Sequence, residues 1–126
     1  MVFHLAAYIS IHKRSPHCKE INTVSCNNLL EAAKIKGVRK IIHFSSIHAF
    51  KQEPYEEEIN ESRELNLKSQ VSYDHSKAWA QMQMMRSSTK NLEIVVINPT
   101  AIVGPNDFKP SLLGNAIIRF YKGRLS

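Results

Sequence analysis

Residues 22–46 read NTVSCNNLLEAAKIKGVRKIIHFSS, and this stretch decides the fold that we expect. Over 22–36 the apolar residues fall roughly on one face of a helix, and Gly37 supplies a C-terminal stop. The run 40–44 is apolar and β-branched, which is typical of a buried strand, and it ends in two serines. The stretch therefore predicts a helix followed directly by a strand.

The alternation of strand and helix continues in both directions along the chain. Residues 2–5 predict a first strand, 72 to about 87 a second helix, 92–97 a third strand and 111–121 an amphipathic helix. The acidic stretch 51–70 has no clean periodicity and is expected to be a long loop. Near-continuous apolar strands that alternate with helices predict the α/β class, with a parallel sheet and helices on both faces.

Composition limits the class of protein. The 126 residues are 43% hydrophobic and 22% charged, which is ordinary for one globular domain. The net charge of +6 is scattered and forms no basic patch, so no nucleic-acid partner is expected. No stretch is long and apolar enough to predict a membrane span. Cys18 and Cys26 are isolated thiols, which favours a reducing, cytoplasmic location.

A tyrosine and a lysine four residues apart carry the predicted chemistry. Tyr73 and Lys77 stand at the start of a predicted helix, where this spacing places both side chains on one face. A phenol is a poor acid or base near neutral pH unless a neighbouring cation stabilises its anion. Ser46 follows the preceding strand, at the sheet edge where ligands bind in α/β folds. The set suits proton transfer coupled to hydride transfer, although such Tyr–Lys pairs also arise by chance and Ser46 alone could merely end a strand.

Five segments together give a resemblance to a known family. They stand in the order VFHLAA (2–7), NTVSCNNLLEAA (22–33), IHFSS (42–46), SYDHSK (72–77) and INPTAIVGP (97–105). The chain resembles the extended short-chain dehydrogenases/reductases, from their fourth strand through the Tyr-x-x-x-Lys segment to the proline-containing loop after their sixth strand. Within this family it is similar to NAD(P)-dependent epimerase/dehydratase proteins, such as dihydroflavonol reductases and 3β-hydroxysteroid dehydrogenases.

The resemblance implies a partial Rossmann-type, doubly wound sheet, an NAD or NADP cofactor and a small-molecule substrate. The catalytic residues it implies are Ser46, Tyr73 and Lys77. The residues it places against the cofactor are Leu5, Ala6, Ala7, Ser45, Tyr73, Lys77, Pro99 and Ile102. His48 and Asn98 are weaker candidates for the substrate side. The helix that carries Tyr73 and Lys77 often forms a dimer interface in this family, so a homodimer is a further expectation.

One departure from the family is large. The chain has four glycines, and none belongs to the G-x-x-G-x-x-G loop that lets a backbone approach the dinucleotide diphosphate. We therefore expect residues 1–126 to be a partial NAD(P)-binding domain, without its N-terminal nucleotide-binding half and most of its C-terminal substrate region. Either another chain completes the fold, or the chain is a non-catalytic truncated fragment or scaffold from a split gene, with an exposed sheet edge.

Histidines are frequent, and four of them are His4, His43, His48 and His75. None has the paired spacing with cysteines or carboxylates that marks a metal site in a sequence. His4 and His43 stand on predicted strands and are expected to be packed, hydrogen-bonded side chains. No metal is predicted.

Overall fold

Three short strands form the sheet. The computed structural model of the chain describes residues 1–10 and 12–124. The strands are β1 (Val2–His4), β2 (Lys40–Phe44) and β3 (Glu93–Ile97). They lie in the order β1-β2-β3, and both pairs are parallel. The predicted parallel sheet of the α/β class is confirmed.

Helices connect the strands. The helical elements are α1 (Pro16–Lys19), a π-helical segment (Glu20–Val24), α2 (Ser25–Ile35), a 3₁₀ turn (Ile47–Ala49), α3 (Ser72–Ser87) and α4 (Leu112–Tyr121). The second helix lies where the sequence predicts it, but the first begins earlier, since Pro16 starts the helical stretch that was expected from Asn22. Proline suits a first helical turn because its φ is already helical and because the N–H that it lacks would have no partner within the helix. In the part of the chain that the structure describes, no helix is long and apolar enough to cross a membrane.

The core lies between one face of the sheet and the pair α2 and α3. Along β2 the buried side chains alternate with half-buried ones, as expected of a strand whose neighbouring side chains point to opposite faces. The buried apolar cluster consists of Cys26, Leu30, Ala33, Ile41, Ala80, Met84 and Leu92. Two helices, the central strand β2 and the residue before β3 thus meet in one core, and the cluster fixes α3 against the sheet.

The opposite face of the sheet is open. Phe3, Val95 and Ile97 lie on it, with 55%, 37% and 39% of their surface exposed. α4 contributes no buried residue. The helices that pack on the sheet within residues 1–10 and 12–124 are therefore on one face, and the second helical layer that the sequence predicts is not formed by these residues.

The polypeptide continues to pair beyond the ends of the strands. Ser45 N donates to Ile97 O at 2.8 Å, and Ile47 N donates to Pro99 O at 3.1 Å. The loop at 51–70 is held by a backbone bond from Lys51 N to Glu64 O at 2.9 Å, and its predicted irregular character is confirmed. The two bonds from Ser45 and Ile47 fix the carboxyl ends of β2 and β3 relative to each other.

Candidate active site

Ser46 and Tyr73 meet at the carboxyl end of the sheet. Ser46 is 8% exposed and caps the 3₁₀ turn, where its Oγ accepts a hydrogen bond from His48 N at 3.2 Å. Tyr73 lies in the first turn of α3. Burial raises the pKa of the Tyr73 phenol, and the nearby Ser46 hydroxyl partly offsets this effect. The phenol therefore keeps its proton at neutral pH, in the form needed to donate a proton.

Lys77 is buried one helical turn after Tyr73. Only 3% of its surface is exposed, and its Nζ donates to Phe44 O, at the end of β2, at 2.8 Å. Burial lowers the pKa of the ammonium. Besides burial and Ser46, the pKa of Tyr73 responds to Asp74. The structure therefore ties the lysine to the sheet rather than to the phenol.

Four of the expected cofactor-side residues follow the carboxyl ends of the two outer strands. Leu5, Ala6 and Ala7 follow β1 and are exposed, Pro99 follows β3 and is half-buried, and Ile102 is exposed.

Ser45, the remaining cofactor-side residue, follows the central strand. It is 7% exposed, and its Oγ has no hydrogen-bond partner among the described residues. A buried hydroxyl without a partner costs free energy, which a bound polar ligand would recover. The Ser45 hydroxyl is therefore a candidate contact for a polar ligand at the carboxyl end of β2.

His48 lies beside the phenol. Its ring centroid is 6.3 Å from that of Tyr73, in an edge-on arrangement, and its Nδ1 is 3.6 Å from Asp74 Oδ1. Burial raises the pKa of the Asp74 carboxyl, against the opposing effects of His48 and a hydrogen bond from Ser69. The side chain of His48 is more exposed than that of Asp74. His48 is therefore accessible from solvent beside Tyr73, the predicted proton donor.

Asn98 has a bridging position behind the site. Its Nδ2 donates to Ser46 O at 2.9 Å and to Gln81 Oε1 at 2.7 Å. Both hydrogens of the amide nitrogen are thereby used within the protein. The amide nitrogen of Asn98 therefore joins β3, Ser46 and α3.

Asn22 is a residue of the site that the sequence reasoning missed. It is buried in the π-helical segment, where its side chain accepts from Tyr8 N at 2.7 Å and donates to Tyr8 O at 2.9 Å and Ser76 Oγ at 2.9 Å. Ser76 Oγ in turn donates to Tyr73 O at 2.8 Å. Neither its burial nor the π-helical geometry, which is frequent at functional sites, could be read from the sequence.

Comparison with known proteins places the chain in a family. Residues 1–121 match the model of an NAD-binding domain family described as male sterility protein. The chain belongs to this family. The predicted extended short-chain dehydrogenase/reductase membership is confirmed, as are an oxidoreductase-type domain and NAD or NADP as the cofactor of the family.

Two curated relatives align with 98% of the chain. One is sterol demethylase protein B of Methylococcus capsulatus, 30% identical over 125 residues, and the other is a putative dihydroflavonol 4-reductase of Synechocystis sp., 26% identical over 126 residues. The chain spans 38% and 37% of their lengths, respectively.

Two solved structures have the same fold over 98% of the chain. The crystal structure of gox2253 superposes with a TM-score of 0.79 at 32% identity, and the chain covers 39% of it. RMD from Pseudomonas aeruginosa, complexed with NADPH, superposes with a TM-score of 0.74 at 23% identity, and the chain covers 45% of it. These likenesses agree with the parallel sheet described above.

Proposed function

We propose that this chain supplies the catalytic part of an NAD(P)-dependent oxidoreductase that acts on a hydroxyl or carbonyl carbon of a small molecule. The observation that carries the proposal is the placement of the buried Ser46 hydroxyl and the half-buried Tyr73 phenol together at the carboxyl end of a parallel sheet, where the hydroxyl acts on the pKa of the phenol. Ligands bind at this edge in α/β folds. The family match supports a dinucleotide as one of these ligands.

Each residue of the set has a distinct role in this proposal. The dinucleotide, when bound, supplies or accepts the hydride. Tyr73 gives its proton to the substrate oxygen during reduction and takes it back during oxidation, while the Ser46 hydroxyl holds that oxygen in place. Lys77, hydrogen-bonded to Phe44 O, positions α3 against β2, and it would supply a positive charge for the nicotinamide ribose when the dinucleotide is bound. The Ser45 hydroxyl, which has no hydrogen-bond partner among the described residues, would bond the nicotinamide end of the dinucleotide.

The diphosphate of the dinucleotide needs residues beyond those described above. We propose that residues 1–126 act as part of a larger NAD(P)-binding domain, completed by further polypeptide or by another chain, because the curated relatives are more than twice as long. The exposed Phe3, Val95 and Ile97 form an apolar surface that a completing layer would cover. The same surface favours the alternative, in which the chain is a non-catalytic scaffold or fragment, and is also compatible with a homodimer.

Titration of the purified protein with NADH and NADPH, followed by cofactor fluorescence, tests the proposal. We expect the protein in its completed form to bind one of the two dinucleotides saturably and to turn over members of a panel of aldehydes and ketones. Tyr73→Phe should lower turnover by about 10²–10⁴-fold, since it removes the proton that is transferred, and should leave cofactor binding within about threefold. Tyr55→Phe is the matched control, because Tyr55 is 78% exposed in the acidic loop.

Two outcomes would contradict the proposal. Turnover of Tyr73→Phe equal to that of the wild type would remove Tyr73 from the mechanism. Failure of the completed protein to bind NADH and NADPH, together with no protection by either against thermal unfolding, would favour the scaffold alternative.

A further inference from the structure

Two histidines face each other on the covered face of the sheet. His4 of β1 and His43 of β2 are directly opposite in the register. Their rings are stacked with centroids 5.1 Å apart, and their Nδ1 atoms are 2.9 Å apart. Cys26 of α2 lies against the same place. One nitrogen of each imidazole and the Cys26 Sγ all lie within 4.8 Å of one another.

The cluster is largely buried, and one of its nitrogen atoms lacks a hydrogen-bond partner among the described residues. His43 is 2% exposed, and its Nε2 has no hydrogen-bond partner among the described residues. Cys26 is 0% exposed. A buried imidazole nitrogen without a partner is rare in folded proteins and calls for a ligand or an equivalent explanation. His4 is only half-buried, which leaves a route from solvent to the cluster.

Two imidazoles and a thiol are a ligand set for soft metal ions. Thiolate and imidazole donors select copper and zinc, and trigonal sites of two histidines and a cysteine are a known copper arrangement. Bonds of about 2.0–2.3 Å would place the three ligand atoms about 3.5–4 Å apart. The two Nδ1 atoms are hydrogen-bonded at 2.9 Å, so binding of an ion there would break this bond, and the ligand distances, all within 4.8 Å, would change by about 1 Å.

Charge decides between a monovalent and a divalent ion. The Lys77 ammonium lies close enough to influence all three side chains electrostatically. A divalent cation with one thiolate would leave a net positive charge buried beside this ammonium, whereas a monovalent cation with one thiolate is neutral. Burying an uncompensated charge is costly, so the monovalent ion is favoured.

We propose that His4, His43 and Cys26 form a three-coordinate site for a soft monovalent cation of the Cu(I) class. The Cys26 thiol donates to Asn22 O at 3.1 Å in the free protein, so it carries its proton there. Binding replaces the S–H bond with a sulfur–metal bond and releases one proton, with no change of oxidation state. The site shares no residue with the Ser46 and Tyr73 pair, so this inference does not rest on the proposed function.

Anaerobic titration with Cu(I) against a chromophoric Cu(I) chelator tests the site. The wild-type protein should take up one tightly bound equivalent and release one proton per ion. Cys26→Ser should bind at least about 100-fold more weakly, since it removes the thiolate ligand. Cys18→Ser is the matched control, because Cys18 is also a buried free thiol but lies outside the cluster, and its affinity should equal that of the wild type.

Further measurements keep the test decisive. Circular dichroism shows whether each variant is folded, and His4→Gln, at a half-buried position, replaces Cys26→Ser if the latter does not fold. Equal Cu(I) affinity in the wild type and the ligand variants would overturn the site. Tighter binding of Zn(II) than of Cu(I) would overturn the charge argument and the proposed class of ion.

Discussion

Replacement of Asn98 by aspartate should destabilise the fold through two named contacts. The amide nitrogen of Asn98 donates to Ser46 O and to Gln81 Oε1, and a carboxylate has no hydrogen to give to either acceptor. Each lost hydrogen bond costs about 0.5–1.5 kcal/mol. Gln81 is 4% exposed, so its oxygen is also left without a partner away from water. We expect Asn98→Asp to lower the free energy of unfolding by about 2–4 kcal/mol.

Urea denaturation followed by circular dichroism measures this change directly. The loss corresponds to a fall in melting temperature of roughly 6–20 °C for a chain of this size. Asn91→Asp is the matched control, since it adds the same charge at an exposed position just before β3. It should change stability by less than about 0.5 kcal/mol. A loss below about 1 kcal/mol for Asn98→Asp, or one equal to that of Asn91→Asp, would refute the bridging role of this amide.

Three further substitutions test the core, the helical segment and the site. Met84→Ala should cost about 2–5 kcal/mol, because Met84 is 0% exposed, whereas Met85→Ala, at 57% exposure, should cost under about 0.5 kcal/mol; equal losses in urea denaturation would contradict the described core. Asn22→Ala removes three hydrogen bonds and should cost about 2–4 kcal/mol, against little or no loss for the exposed Asn27→Ala. Burial raises the pKa of the Asp74 carboxyl, so its contribution to stability is present at low pH and is lost as the pH rises through the raised pKa. The wild type should therefore gain stability relative to Asp74→Asn as the pH falls from about 7 toward 4; a difference that does not vary with pH would show that burial does not control this carboxyl.

Local patterns were enough to predict the strands and most of the helices. β2 has the bounds 40–44 that its apolar, β-branched run indicates, and α3 spans 72–87 as expected. The start of the helical stretch at Pro16 was missed because the segment 16–21 is mostly polar and only Cys18 in it is buried. Periodicity of apolar residues has little to detect in such a segment.

The site was predictable in its residues but not in its connections. The spacing of Tyr73 and Lys77 is local, so it could be read from one helical turn. The Lys77 contact with Phe44 O spans 33 positions, and the pairing of His4 with His43 spans 39 and depends on strand register. Such contacts are set by the packing of distant elements, and no window of the sequence contains both partners.

The side chain of Asn22 makes the two backbone hydrogen bonds to Tyr8 that a neighbouring strand would make. It accepts from the N–H and donates to the C=O of Tyr8, as a neighbouring backbone would, and also donates to Ser76. Aspartate lacks the donors, leucine lacks both functions, and glutamine is one methylene too long for the same place. The three contacts thus require an acceptor and a donor on one short side chain, and through Ser76 they link the segment after β1 to a position 54 residues further along the chain.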